Sequence, residues 1–208
     1  MATNIPVLVD PEVTRTKFTR ELGTWKKYGA DGRRGWILLS ENADTLSVEV
    51  GFLGRIMLSA STVPLSVVPV ALRITFENYD LWPPSVTFID PQTREPSPPH
   101  VRAIVLTTEG PRDVLIDGHP VTQRPFLCIP GIREYHNHPQ HSGDGWLIHR
   151  ATGAGHLLNI CDRVSRFMVS NIVGLNVGLQ VFPFAPLQAQ VSVLLAQGEL
   201  ANLPSPRS

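Results

Sequence analysis

Apolar residues first recur at helical spacing, with Phe18, Leu22 and Trp25 at i, i+4 and i+7. Asp10-Pro11-Glu12 ahead of them reads as a helix start, Asp10 serving as N-cap and Pro11 standing where a missing N–H costs nothing. Gly29 and the Asp31-Gly32 pair stop it, so a helix is predicted over residues 11–28. The period then drops to two. Trp36 to Ser40 is a short apolar run, and Glu41-Asn42-Ala43-Asp44 is turn chemistry. Leu46, Val48, Val50 and Phe52 alternate with Ser47, Glu49 and Gly51, and Val70, Leu72, Ile74 and Phe76 alternate in the same way. Val86 to Ile89 is a fourth run. One helix followed by an antiparallel meander is the usual opening of an α+β domain.

Beyond the meander the pattern loosens. Pro91 to His100 holds four prolines and excludes regular structure. Val101 to Leu106 and Val114 to Ile116 read as two strands of an inserted hairpin, joined by a Glu-Gly-Pro turn. Thr152 is placed to cap a second helix whose apolar face is Leu157, Ile160, Cys161, Val164 and Phe167. Val173 to Val181 alternates like a strand, and Leu187, Val191, Leu194 and Leu195 suggest a last helix. The expected organisation is one domain over residues 1–170 and a C-terminal extension over 171–208 packed on it.

At 208 residues and 42% hydrophobic, the chain can bury a full core. Eighteen basic residues balance eighteen acidic ones, which argues against a nucleic-acid partner. Two cysteines are too few for a disulfide scaffold. The first residues lack a charged n-region and an apolar h-region, and no apolar run is long enough to span a bilayer. The expectation is a cytoplasmic protein with no membrane partner.

Candidate chemistry concentrates between Phe126 and Arg150. Cys128 ends a short apolar run, and the loop after it carries His136, His138 and His141, three of the chain's seven histidines. Pro130-Gly131 favours a loop and therefore access to the sulfur, although a free cysteine is also commonly a buried small hydrophobe. Cys161 falls on a helix's apolar face and reads as core. For the histidines three readings stand: a solvated turn-forming loop, a general base near the thiol, or metal ligation with Cys128 as a fourth ligand. The His-x-His-x-x-His spacing lacks the i, i+4 geometry of zinc-binding helices. Asp144 is a candidate to orient an imidazole or to lower the pKa of a lysine substrate, although Ser142-Gly143-Asp144-Gly145 also reads as a plain turn, and Trp146 is placed to pack under the loop.

Residues 70–90 add a resemblance. Leu72, Ile74, Phe76, Tyr79, Pro83, Pro84, Val86 and Phe88 are similar to the core signature of the ubiquitin-conjugating enzyme (UBC-like) fold: an alternating strand ending in Phe, a turn with Tyr, a Pro-Pro pair, then Pro-x-Val-x-Phe. Consecutive prolines lack ladder donors and suit a rigid corner between strands. The order of elements extends the resemblance over about residues 10–170: N-terminal helix, four-stranded meander, active-site loop with one cysteine, tryptophan, C-terminal helix. Here an insertion hairpin and the C-terminal extension are added.

The resemblance implies that Cys128 accepts the carboxyl group of a ubiquitin-like protein as a thioester and passes it to an amine on a protein target. No metal or other cofactor is needed, and the charge of Arg15, Lys17 and Arg20 on the first helix is a candidate docking face for an activating enzyme. His119-Pro120 resembles the start of the family's His-Pro-Asn motif, but the third position is Val121. That departure leaves an amide role vacant, for which His136 and His138 are the catalytic candidates, with Asn137 beside them. The long segments before and after Cys128 make the chain look like the bacterial relatives found in antiviral-defence conjugation operons. Two other expectations stand beside it: a catalytically inactive adaptor of the same fold that binds a ubiquitin-like protein, and a metal-binding or hydrolytic protein built on the His136, His138 and His141 loop.

Overall fold

The computed structural model describes residues 6–29, 33–56 and 65–175, with the pairs 178–179 and 187–188. It is an α+β protein built on a four-stranded antiparallel sheet. Helix α1 runs Pro11–Tyr28, where the sequence places it. The Asp10 side chain accepts the N–H groups of Glu12 and Val13, and the Gly29 N–H closes the other end on the Trp25 carbonyl at 2.6 Å. Phe18, Leu22 and Trp25 face the sheet and are buried.

The sheet follows in chain order: β1 (Trp36–Asn42), β2 (Ser47–Ile56), β3 (Leu65–Thr75) and β4 (Ser85–Phe88). Its register aligns the apolar sets, with Trp36 opposite Phe52, Val50 opposite Leu72, and Leu72 opposite Phe88. Because side chains alternate between faces, this register puts all of them on the side covered by α1. Trp25 stacks on Trp36 with centroids 6.3 Å apart, and Phe18 meets Phe76 at 5.4 Å.

The hairpin is β5 (Val101–Thr107) with β6 (Gly110–Asp113), not a return through Val114–Ile116. Every residue of β6 is exposed or half-buried. An outlying strand of this kind carries no apolar alternation for a sequence pattern to detect. Leu115–Ile116 instead forms β7, paired with β8 (Phe126–Leu127), the strand that delivers Cys128.

Three short helices complete the order: α2 (Arg133–His136), α3 (Trp146–Arg150) and α4 (Leu157–Phe167). Thr152 does not cap α4. Its hydroxyl donates to the His149 carbonyl at 2.7 Å, and α4 begins after His156, which supplies no side-chain cap. The cap comes from α1, whose Glu21 carboxylate accepts the Leu157 N–H. Leu157, Ile160, Cys161 and Val164 form the buried face of α4, as expected, while Phe167 is exposed.

After α4, β9 (Ile172–Leu175) pairs antiparallel with β5, so the inserted hairpin becomes a three-stranded sheet in the order β6-β5-β9. A last ladder joins β10 (Gly178–Leu179) to β11 (Leu187–Gln188). The helix expected from Leu187 therefore starts with two strand residues, and its Val191, Leu194 and Leu195 lie outside the described residues. Among the described residues, no helix is long and apolar enough to cross a membrane.

Candidate active site

Cys128 continues the line of β8 by donating its N–H to the Val114 carbonyl at 3.4 Å. Two further hydrogen bonds shape the segment behind it. The Pro130 carbonyl accepts from the Arg163 guanidinium of α4, and the Gly131 N–H donates to His136 Nε2 at 3.1 Å. Gly131 itself has φ +95°, and a Cβ there would stand 2.2 Å from the Ala154 carbonyl oxygen. Only glycine fits that position. The sulfur is half-buried rather than enclosed, and burial pushes the thiol above its ordinary value.

The imidazole against the sulfur is His141. Its Nε2 lies 3.4 Å from Cys128 Sγ, at the end of a 3₁₀ turn formed by Pro139–His141. His136 and His138 are placed differently. His136 donates from Nδ1 to the Asp144 carbonyl at 2.9 Å and accepts the Gly131 N–H on Nε2. Those partners require the neutral Nδ1–H tautomer, and burial pulls the ring's pKa down in agreement. His138 caps the 3₁₀ turn by accepting the Gln140 N–H, and its ring stacks on Phe126 at 5.4 Å. No hydrogen bond joins His136 or His138 to the sulfur among the described residues. Asn137 ends α2 through its N–H and is exposed.

His119, the residue of the His-Pro pair, is 1% exposed. Its Nδ1 accepts the N–H groups of Val121 and Thr122, so Nε2 donates to the Glu134 carbonyl at 2.9 Å. Glu134 is itself buried, accepting from the Ser85 hydroxyl and from the Val86 N–H at 3.0 Å. Next to it, Arg133 bonds the Pro84 carbonyl through its N–H at 2.8 Å and the Pro83 carbonyl through its guanidinium at 3.3 Å. The Pro-Pro corner, α2 and the His119 turn are therefore one braced unit beneath the cysteine loop. Val121 is 72% exposed on that turn and brings no polar side chain to the sulfur.

Behind His141 stands Tyr135, ring on ring, with centroids 3.9 Å apart and planes 20° from parallel. The Tyr135 hydroxyl donates to Asp144 Oδ2 at 2.7 Å, while Asp144 Oδ1 meets His149 Nε2 at 2.5 Å. Burial and the Asp144 carboxylate push the phenol up to about 12, so it stays a donor. Hydrogen bonds from His149 and Tyr135 hold Asp144 below the usual carboxylate range. Asp144 thus does engage imidazoles, His149 through its carboxylate and His136 through its carbonyl. Neither Tyr135 nor His149 stands out by sequence pattern; only their proximity to the histidine loop marks them.

Trp146 is buried beside the His136 ring and donates from Nε1 to the Asp80 carbonyl at 3.0 Å. Of the charged residues on α1, Lys17 is paired with Asp80 and Arg15 donates to the Ala43 carbonyl at 2.9 Å; Arg20 is exposed. Cys161 is fully buried in α4, its thiol raised to about 12 by burial. Among the described residues, no three His, Cys, Asp or Glu side chains converge as a metal site would require. The two ring nitrogens of His136 are both occupied by backbone partners, which removes it from such a set.

A family model, that of the Y4jH family, matches residues 9–111 and 112–172. This chain belongs to the Y4jH-like family. A Sinorhizobium fredii protein (strain NBRC 101917 / NGR234) bearing the name uncharacterized protein y4jH is 34% identical over 195 residues, covering 83% of this chain and 90% of that one. The matched stretch takes in Cys128, Tyr135, His141, Asp144 and His149 together with the β5–β6 hairpin. That hairpin is therefore part of the Y4jH-like body.

Proposed function

We propose that this protein is a conjugating enzyme of the UBC-like fold, which carries a ubiquitin-like protein as a thioester on Cys128 and transfers it to an amine on a target protein. The observation that carries the reading is the 3.4 Å approach of His141 Nε2 to Cys128 Sγ, on a loop braced by the Pro83-Pro84 corner. The succession of helix, meander in the order β1-β2-β3-β4, Pro-Pro corner, cysteine and Trp146 helix supports the reading, because it is the order that the resemblance of residues 70–90 implies.

A thiol kept protonated by burial needs a base in contact, and His141 is so placed. As the sulfur attacks the thioester carbonyl on an activating enzyme, His141 Nε2 takes the S–H proton. The partner's thiolate leaves and is reprotonated. In the second step an amine of the target attacks the Cys128 thioester carbonyl, the C–S bond breaks, and the amine's proton returns to the sulfur through His141. His141 thereby takes the base role expected of His136 and His138: both ring nitrogens of His136 face backbone groups, and Nδ1 of His138 accepts the Gln140 N–H. Partners are an activating enzyme, a ubiquitin-like protein and a protein target, in a bacterial defence-type pathway in the cytoplasm.

A second reading, an inactive adaptor of the same fold, draws on Val121 in place of the expected amide and on the raised thiol. One experiment decides. The full chain is incubated with a bacterial ubiquitin-like protein and the activating enzyme that charges it, plus ATP, and run without reductant. A thiol-sensitive adduct that persists in Cys161→Ala and vanishes in Cys128→Ala is expected. His141→Ala should slow its formation about a hundredfold, in the range of a lost general base. No adduct from an active upstream enzyme sinks the conjugation reading in favour of the adaptor.

A further inference from the structure

Resting on the reading of Cys128 and His141 as the reacting pair, we propose that Asp144 is its positioning residue: through Tyr135 it sets the plane of the His141 ring, and through its own N–H it fixes the His141 backbone. A histidine partnered with cysteine is ordinarily oriented by a side chain bonded to its second ring nitrogen. His141 Nδ1 has no hydrogen-bond partner among the described residues. Left so, the ring would rotate freely and Nε2 would sample positions away from the sulfur.

The Tyr135 face supplies the missing restraint. Stacked at 3.9 Å and 20°, it allows the imidazole one plane, the one that points Nε2 at Sγ. Tyr135 is fixed at both ends of its own ring. Its hydroxyl reaches Asp144 Oδ2, and its body lies edge-on to His136 with centroids 5.0 Å apart. Asp144 also donates its N–H to the His141 carbonyl at 2.8 Å. One residue therefore holds both the backbone of the base and the surface on which its ring rests. His149 occupies the second carboxylate oxygen, and His136 the carbonyl, so Asp144 cannot swing away from Tyr135 without breaking other bonds. The titratable groups facing Asp144 are Tyr135 and His136 from α2 and His149 from α3. Its charge does not touch the sulfur, so its influence must pass through ring placement.

The test follows alkylation of Cys128 by iodoacetamide in the full-length protein, read by mass spectrometry between about pH 5 and pH 10, with buried Cys161 as internal control. The wild-type rate should show two limbs: a lower one that His141→Ala removes, and an upper one from ordinary thiol ionisation. Asp144→Ala and Tyr135→Phe should each lower the first limb about tenfold and leave the second unchanged, as expected when a base is misplaced rather than removed. Asp144→Asn should restore most of the lower limb, because an amide oxygen still accepts the Tyr135 hydroxyl. If Asp144→Ala fails to fold, Tyr135→Phe carries the same test. A folded Tyr135→Phe with the wild-type lower limb overturns the proposal, as does Asp144→Asn losing as much as Asp144→Ala. Adduct formation is read separately, so conjugation and positioning fail independently.

Discussion

Glu21 Oε2 accepts the Leu157 N–H at 3.1 Å, so a carboxylate on α1 caps the first turn of α4 across most of the chain. The same carboxylate meets the buried Tyr79 hydroxyl at 3.5 Å and has His156 Nε2 at 3.9 Å. A buried acid at a helix N-terminus satisfies an orphan N–H and meets the positive end of the helix dipole. Glu21→Ala should cost about 1–2 kcal/mol in urea unfolding, as the loss of a buried cap does. Glu21→Gln, which keeps an acceptor, should lose less. Equal losses would mean that the charge and not the cap is what matters.

Gly131 should tolerate no side chain. Its φ of +95° and the Ala154 carbonyl 2.2 Å from a Cβ act together. Gly131→Ala is expected to cost about 2 kcal/mol or more, since the strain and the clash cannot both relax. Thermal unfolding reads the loss. The same variant should also alter the rate of Cys128 alkylation, because the Gly131 N–H ties the cysteine loop to His136.

A half-buried acid, Asp80, and a buried one, Glu134, should give opposite pH slopes. Burial opposes charge on Asp80, but hydrogen bonds from Lys17 and Arg150 outweigh it and hold the carboxyl low. Its contribution is therefore present above about pH 4, the unfolded value, and is lost as pH falls through the lower folded value. Burial raises Glu134 despite the Ser85 and Val86 bonds. Its contribution is complete below its unfolded value and is lost as pH rises through the folded one. In urea titrations at a series of pH values, Asp80→Asn should flatten the acid limb. Glu134→Gln should leave that limb and remove the loss that sets in as pH rises through the folded Glu134 value.

The ring nitrogens of His136 and His119 should be read directly by nitrogen NMR. His136 is expected as the Nδ1–H tautomer and His119 as the Nε2–H tautomer, from the direction of their backbone partners. His136 should also resist protonation until below about pH 6.5, the ordinary imidazole value. Its folded value being lowered, the loop's stability is present above that pH and is lost as the ring protonates. A His136 titrating at or above the ordinary value would contradict the buried, backbone-bonded ring.

Helix α1 and the apolar strands were legible because a buried face imposes a period, and Phe18, Leu22 and Trp25 or Val48, Val50 and Phe52 display it. Strand β6 was not, since an exposed strand has no such constraint. The site divides along the same line. Cys128 and its loop stand out by residue type, but nothing local separates His141 from His136 and His138. Which ring faces the sulfur is decided by the Pro139–His141 turn and by the Tyr135 face, and both are tertiary. The capping role of Glu21 is likewise tertiary, as its partner Leu157 lies at the other end of the domain.

The pairing of β9 with β5 has a consequence for how the chain can be shortened. Val101 faces Leu175 and Ala103 faces Ile172 across a ladder that crosses residue 170, where a body and an extension were expected to part. A protein ending at residue 170 would uncover one side of β5 and leave a bare strand edge, the form of surface through which separate molecules adhere. Such a truncation should self-associate, whereas one ending after Leu175 keeps that edge occupied.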